Sequence, residues 1–342
     1  MRAFVYHGPG RAAWETVPDP VIKEPSDVLV QVDTTTVCGS DLHILEGELP
    51  EVTAGTVLGH EAVGEVVEVG REVHGLRTGE RVIVSCVSAC GRCRPCHDNA
   101  FGQCRGGGGW ILGHRIDGTQ AEYVRVPFAD LSTHRVPGTL NGDAAVLLAE
   151  TLPTGYEVGV RNGQVSPGDT VVVVGAGPIG LSAVLTARVL SPARIIATDL
   201  SSARLDDARR IGADAAVLPG RLISDLADCP GADVAIEAVG APDSFTLCTR
   251  VVRSGGHIAN IGMHEKPATL HLEALWQKNV TIVTGQVDTY SVPTLMDMVV
   301  SGRLRPTPLI THHFGLHRVA EAYEVFARGT ETGALKVLLH RD

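Results

Sequence analysis

The chain has 342 residues, 44% of them hydrophobic and 20% charged, enough for two domains with apolar cores. Its formal net charge of -10 argues against a nucleic-acid partner, because phosphate binding needs a basic surface. The start, Met1-Arg2-Ala3-Phe4-Val5-Tyr6-His7-Gly8, lacks the apolar core of a signal peptide, so the expected location is the cytoplasm. In that reducing setting the eight cysteines read as ligands or buried thiols rather than disulfides.

Residues 1 to about 150 read as β-rich. Val28-Leu29-Val30-Gln31-Val32 alternates, as does Ala62 to Val69, and Arg81-Val82-Ile83-Val84 is a third run. Glycine and proline punctuate these runs at short intervals, as in a small barrel or sandwich. From about residue 168 the pattern becomes strand–helix alternation. Strands are predicted at Val171 to Val174, Arg194 to Thr198, Val234 to Ile236, His257 to Ile261 and Val280 to Val283. Helices are predicted at Leu181 to Leu190, Ala203 to Ile211 and Asp243 to Val252. Such alternation implies a parallel, doubly wound sheet. Beyond about residue 289 come helices at Pro293 to Ser301 and Val319 to Arg328, then a strand at Lys336 to Leu339.

The stretch Val171 to Asp199 organises the rest. Its apolar strand turns through Gly175-Ala176-Gly177-Pro178-Ile179-Gly180 into the helix, and the next strand ends at Asp199. Gly175 permits the sharp turn, Gly177 lets a pyrophosphate approach the backbone, and Gly180 lets the helix pack close to the sheet. The free amides of the first helical turn face the phosphates. Asp199 can accept both ribose hydroxyls of NAD and would repel the 2′-phosphate of NADP, so NAD(H) is expected over NADP(H). Thr170 to Ala187 carries no charge and is long enough for a membrane helix. The three glycines and proline at its start, and the polar end of the following strand, argue against one.

Cys90, Cys93, Cys96 and Cys104 are spaced Cys-x2-Cys-x2-Cys-x7-Cys. Four thiolates at this spacing close tetrahedrally on one Zn²⁺ with no open position, which makes the site structural. Two disulfides are the alternative, disfavoured without a secretion signal. A zinc ribbon for nucleic acid is disfavoured by the acidic balance and the lack of a second ribbon half. Cys38, His60, Glu61 and Glu150 are separate signals, and no spacing joins them. A lone cysteine is usually a small buried hydrophobe.

Taken in order, Cys38-Gly39-Ser40-Asp41-Leu42-His43, Gly59-His60-Glu61, the four-cysteine lobe and the Gly-Ala-Gly-Pro-Ile-Gly turn resemble the zinc-dependent medium-chain alcohol dehydrogenases over nearly the whole chain. The resemblance implies a GroES-like catalytic domain at 1–153, with the structural-zinc lobe at 86–110, and a Rossmann domain at 154–288. It implies a return to the catalytic domain at 289–342. It implies two zinc ions per chain, with Cys38 and His60 on the catalytic one and Glu61 a ligand or near-ligand. Several members carry a further cysteine ligand before the Rossmann domain. Here Glu150 stands instead, as in the sorbitol and secondary-alcohol branches, so Glu61, Glu150 or water completes the sphere. Ser40 then takes the alcohol proton, which passes through the cofactor ribose to His43. By position, Thr154 packs on the nicotinamide and Arg204 lies near the adenosine ribose. Val239-Gly240 and Ile261-Gly262 end later strands at the cofactor edge.

Gly106-Gly107-Gly108-Gly109 predict a mobile loop, and Trp110 after it either walls the substrate pocket or packs the lobe. His114, Arg115 and Asp117 are polar enough to suit a hydroxylated substrate. The expected reaction is NAD-dependent interconversion of an alcohol, best a secondary one, and its carbonyl partner. A polyol or threonine-type dehydrogenase is the neighbouring alternative. A zinc-free quinone reductase or a cofactor-binding structural protein are the others. The Val280 to Val283 edge strand suits pairing across a twofold axis, as expected of a homodimer or homotetramer.

Overall fold

A computed structural model describes residues 1–341. The chain divides into two units. The first comprises Met1–Glu150, Asp288–Ser301 and Ile310–Asp342; the second comprises Thr151–Val287 and Gly302–Leu309.

The first unit is built on a seven-stranded sheet. Val28–Val37 is its long central strand, antiparallel to Ala62–Val69 on one side and to Lys336–His340 on the other. The C-terminal strand therefore completes the N-terminal sheet. Phe4, Tyr6, Ile44 and Leu58 pack in one core with Leu316, Val319, Val337 and Leu339 from the chain end. The short-range alternation at Val28 and Ala62 announced the inner strands. It did not announce the separate hairpin Arg2–Tyr6 and Ala12–Thr16, whose second strand is only partly buried.

The second unit is a six-stranded, all-parallel sheet. Numbered one to six in chain order, the strands are Thr170–Val174, Arg194–Thr198, Ala215–Val217, Ala232–Glu237, Val252–Asn260 and Thr281–Thr284. They lie side by side in the order 3-2-1-4-5-6. That order places a topological switch point between Thr170–Val174 and Ala232–Glu237, where such sheets bind ligands. Val171–Val174 are all buried, because helices cover both faces of a parallel sheet. This explains an uninterrupted apolar run in place of alternation.

The helix after the first strand spans Pro178–Arg188, starting three residues earlier than the apolar spacing predicts. Pro178 is suited to the first helical turn, where no intrahelical donor is needed. Thr151–Pro153 belongs with this unit, and the Ser182 hydroxyl donates to the Thr151 carbonyl at 2.6 Å. Gly302–Leu309 also belongs here rather than with the returning segment, with Leu304 and Leu309 buried and Arg210 bonded to the Pro308 carbonyl. No helix among the described residues is long and apolar enough to cross a membrane.

Candidate active site and metal centres

The first cluster forms where the central strand ends. Cys38 follows Val28–Val37 and is the N-cap of helix Gly39–Glu46. Asp41, three residues on, accepts the Cys38 backbone N–H at 2.9 Å and so fixes the turn. His60 and Glu61 precede the neighbouring strand Ala62–Val69, and Glu150 ends the unit's first segment. The fold brings Cys38, His60, Glu61 and Glu150 together, with one ligand atom of each within 4.8 Å of the others. The Cys38 thiol donates to Glu150 Oε2 at 3.0 Å, and His60 Nε2 lies 3.2 Å from the same oxygen.

The electrostatics follow from burial. Desolvation pushes the Cys38 thiol up, and the Glu150 charge adds to it. Desolvation would lower His60, but the carboxylates of Glu150 and Asp41 outweigh it and hold the imidazole well above its usual value. Burial also opposes ionisation of Glu150, yet His60 and Lys336 keep that carboxyl below its usual range. Sulfur, nitrogen and oxygen donors of this kind, anionic once the thiol ionises, fit a divalent zinc ion.

Three residues that sequence reasoning left unassigned hold this cluster. Asp41 Oδ1 lies 3.3 Å from His60 Nδ1, orienting the ring as carboxylates behind metal-binding histidines do. Gln120 donates to Asp41 Oδ2 at 3.1 Å and accepts from the buried Tyr323 hydroxyl at 2.8 Å. Lys336, only 2% exposed, donates to Glu61 Oε1 at 2.6 Å, and the Thr36 hydroxyl donates to the same oxygen at 2.7 Å. Burial raises Glu61 to about 7 even with Lys336 opposing it. A signal for Lys336 existed: it is a lysine inside the apolar run Ala334 to Leu339.

Ser40 Oγ lies 3.4 Å from His60 Nε2, beside the cluster, whereas His43 pairs with Glu48 Oε2 at 2.5 Å. Trp110 meets His60 edge to face at 5.7 Å and stacks on His114 at 4.5 Å. Its indole Nε1 is buried without a hydrogen-bond partner. Of the glycines before it, Gly108 and Gly109 are buried and Gly106 and Gly107 are exposed. Ser88 and Gly109 exchange backbone hydrogen bonds of 2.9 and 2.7 Å, and a Cβ on Gly106 would sit 2.4 Å from Cys90 Sγ. Gly106 and Gly108 therefore serve close packing around the lobe.

In that lobe the Sγ atoms of Cys90 and Cys96, Cys93 and Cys96, and Cys93 and Cys104 lie 3.9, 3.4 and 3.9 Å apart. These separations exceed a disulfide bond of about 2.05 Å and match the edges of a tetrahedron around zinc with arms of about 2.3 Å. The backbone N–H of Arg105 helps lower Cys93 to about 6, while burial raises Cys96 to about 12. All eight cysteines are free thiols.

In the second unit, the glycine turn sits at the switch point. Gly175 has φ +100°, and a Cβ there would lie 2.7 Å from Val239 Cγ2. A Cβ on Gly180 would lie 1.9 Å from the Gly175 carbonyl oxygen, whereas one on Gly177 would meet nothing within 4 Å. The first turn, with Pro178 and Ile179, has no side-chain cap, so its end is open to an anion. Gly177→Ala is expected to fold normally but weaken dinucleotide binding at least about tenfold, whereas Gly180→Ala costs about 1–3 kcal/mol of stability. Cofactor titration and thermal unfolding of the two variants check this. Equal stability loss in both would contradict it.

Asp199 accepts the Ala176 and Ser201 backbone N–H groups at 2.8 and 2.9 Å, leaving each oxygen a further lone pair. Arg204 lies on the helix that follows, where the charges of Asp199 and Asp207 oppose the lowering effect of burial. The Thr154 hydroxyl is buried without a hydrogen-bond partner. Val239 and Gly240 both donate backbone N–H groups to the buried Glu237 at 2.9 Å, and Ile261 donates its own to the Glu237 carbonyl at 2.8 Å. A Cβ on Gly262 would lie 2.1 Å from the Gly240 nitrogen, so these two strand ends are locked together. Val239 and Met263, just past these strand ends, stay exposed, as does Leu200 after the second strand.

A parallel sheet with a glycine turn at its switch point, together with two clusters of zinc-type donors, fits a zinc-binding dehydrogenase. The comparisons agree. The description "Alcohol dehydrogenase GroES-like domain" matches residues 24–138, and "Zinc-binding dehydrogenase" matches 178–301. An alcohol dehydrogenase of Cupriavidus necator is 34% identical over 99% of this chain and 98% of its own length. A glutathione-independent formaldehyde dehydrogenase of Pseudomonas aeruginosa is 36% identical over 84% of this chain and 73% of its own length. The structure of zinc-dependent alcohol dehydrogenase 2 from Streptococcus pneumonia superposes with a TM-score of 0.95 at 42% identity, covering 100% of this chain and 99% of that one. An alcohol dehydrogenase of Escherichia coli CFT073 complexed with NADH is 28% identical (TM-score 0.89), covering 99% of both chains. A protein of Sinorhizobium meliloti 1021 bound to NADP is 26% identical (TM-score 0.85), covering 99% of this chain and 98% of that one. The chain belongs to the zinc-dependent medium-chain alcohol dehydrogenase family, with a GroES-like part and a Rossmann-type part.

Proposed function

We propose that this enzyme interconverts a secondary alcohol and its ketone with NAD(H), using Cys38, His60 and Glu150 as protein ligands of a catalytic zinc. The observation that carries the reading is the convergence of Cys38 Sγ and His60 Nε2 on Glu150 Oε2 within 3.2 Å. Glu150 is the third ligand because Glu61 is held by Lys336 and Thr36. Cys38, His60 and Glu150 would hold a zinc that, when bound, would supply Lewis acidity toward an alcohol oxygen, and the glycine turn would hold a dinucleotide that would supply the hydride acceptor. Ser40, 3.4 Å from His60, receives the proton, and the half-exposed His43 hands it toward solvent. The domain limits near residues 150 and 288 follow from the same reading, with Cys90, Cys93, Cys96 and Cys104 on a second, structural zinc.

Secondary alcohols are favoured over polyols because the polar groups near Trp110 are already engaged. His114 bonds the Trp110 carbonyl and Glu51, each at 3.1 Å, and Asp117 accepts the Val57 N–H. A panel of secondary alcohols, polyols and threonine with either coenzyme, followed by absorbance of the reduced nicotinamide, tests the reading. Preference for a polyol or threonine would overturn the substrate class.

The preference for NAD rests on Asp199. Asp199→Gly is expected to weaken NAD binding about tenfold and to narrow discrimination against NADP, because the like charge facing the 2′-phosphate is removed. An unchanged KM ratio for the two coenzymes would contradict the role. A homodimer is the simplest assembly, since the edge strand Thr281–Thr284 is only partly covered and Leu272 and Trp276 nearby are 63% and 71% exposed.

A further inference from the structure

We propose that Asp143, His313 and His340 form a third metal site, taking a zinc-class divalent cation, on the surface of the first unit. One ligand atom from each lies within 4.8 Å of the others. His340 ends strand Lys336–His340, and His313 lies on the parallel neighbour Ile310–Gly315. In register His313 faces Leu338 and His340 faces Gly315, so the two histidines are diagonal neighbours on adjacent strands. Asp143 comes from helix Gly142–Val146, whose start is fixed by the Asn141 cap.

His313 Nδ1 lies 2.9 Å from His340 Nε2, and His340 Nε2 lies 4.0 Å from Asp143 Oδ1. Donors around a tetrahedral zinc sit about 3.3 Å apart, so these two spacings need to change by less than about 1 Å, and the third, within 4.8 Å, needs to close on the ion. The ring centroids are 5.2 Å apart and the planes 11° apart, which with a 2.9 Å N···N contact puts the rings edge to edge. The two nitrogens therefore share a proton without a cation. Taking one up exchanges that proton for the ion and swings the exposed His313 ring toward Asp143.

His340 Nδ1 lies 3.2 Å from the Thr34 hydroxyl, a partner that leaves the Nε2 lone pair facing outward. Arg81 and Arg341 pair with Asp33 at 3.9 and 2.9 Å. Two imidazoles and a carboxylate select zinc, nickel or copper over magnesium or calcium. None of these residues belongs to the zinc-donor clusters described above, so the site stands whether or not the catalytic reading does.

The test is zinc titration of the holoenzyme by calorimetry after removal of loosely bound metal. The wild type is expected to take up one further zinc per chain. His313→Ala and Asp143→Ala are each expected to weaken that uptake at least about tenfold, with the resident zinc content and unstimulated turnover unchanged. His312→Ala, which alters the adjacent histidine outside the cluster, is expected to retain it. Absence of a further equivalent in the wild type would overturn the proposal. So would uptake that survives loss of both His313 and Asp143, or uptake lost equally with His312.

Discussion

Replacing Cys38 or His60 with alanine is expected to lower turnover about a thousandfold, roughly 4 kcal/mol of barrier, while leaving the dinucleotide affinity within about twofold. The separation is expected because the clustered donors lie in the first unit and the glycine turn in the second. Each variant should also lose one of two zinc ions per chain. Steady-state rates, cofactor titration and metal analysis read the three effects independently. A Cys38→Ala enzyme with full turnover and intact cofactor binding would mean that catalysis does not use this cluster. Retained zinc with lost turnover would shift the role of Cys38 from ligand to substrate contact.

Lys336→Met should have the largest effect on stability. Lys336 and Glu61 are 2% and 1% exposed and meet at 2.6 Å. Removing the lysine leaves a buried carboxylate whose nearest cation is gone, a loss on the order of 3–5 kcal/mol. Lys336→Met with Glu61→Gln should recover more than half of it, since the uncompensated charge is then absent. Denaturant unfolding of the two single variants and the double variant measures the coupling. If Lys336→Met is neutral, the pair is not a stabilising element. If the double variant is no better than the single one, the cost comes from packing of the lysine stem.

The motifs with a local cause were legible in the sequence. The turn Gly175 to Gly180 carries its own steric logic, and the strand before it reads as apolar because both faces are covered. The four-cysteine spacing closes on itself within 15 residues, from Cys90 to Cys104, so no distant contact was needed to read it. The scattered donors were different. Cys38 and Glu150 are 112 positions apart, and Lys336 is 275 positions from Glu61. No periodicity reports such a distance; a resemblance to a family could point to Cys38 and His60, but not to what supports them.

The amino-acid order by itself determined the parallel sheet, the glycine turn into the first helix and the four-cysteine lobe, because each depends on backbone geometry and side-chain spacing within a few dozen residues. Tertiary structure decided which carboxylate faces Cys38, that Asp41 backs His60 and that Lys336 holds Glu61. The last of these depends on the final strand pairing with Val28–Val37, a long-range closure that buries Val337 and Leu339 in the shared core, whereas the first two depend on strand ends and loops far apart in the chain meeting at one place.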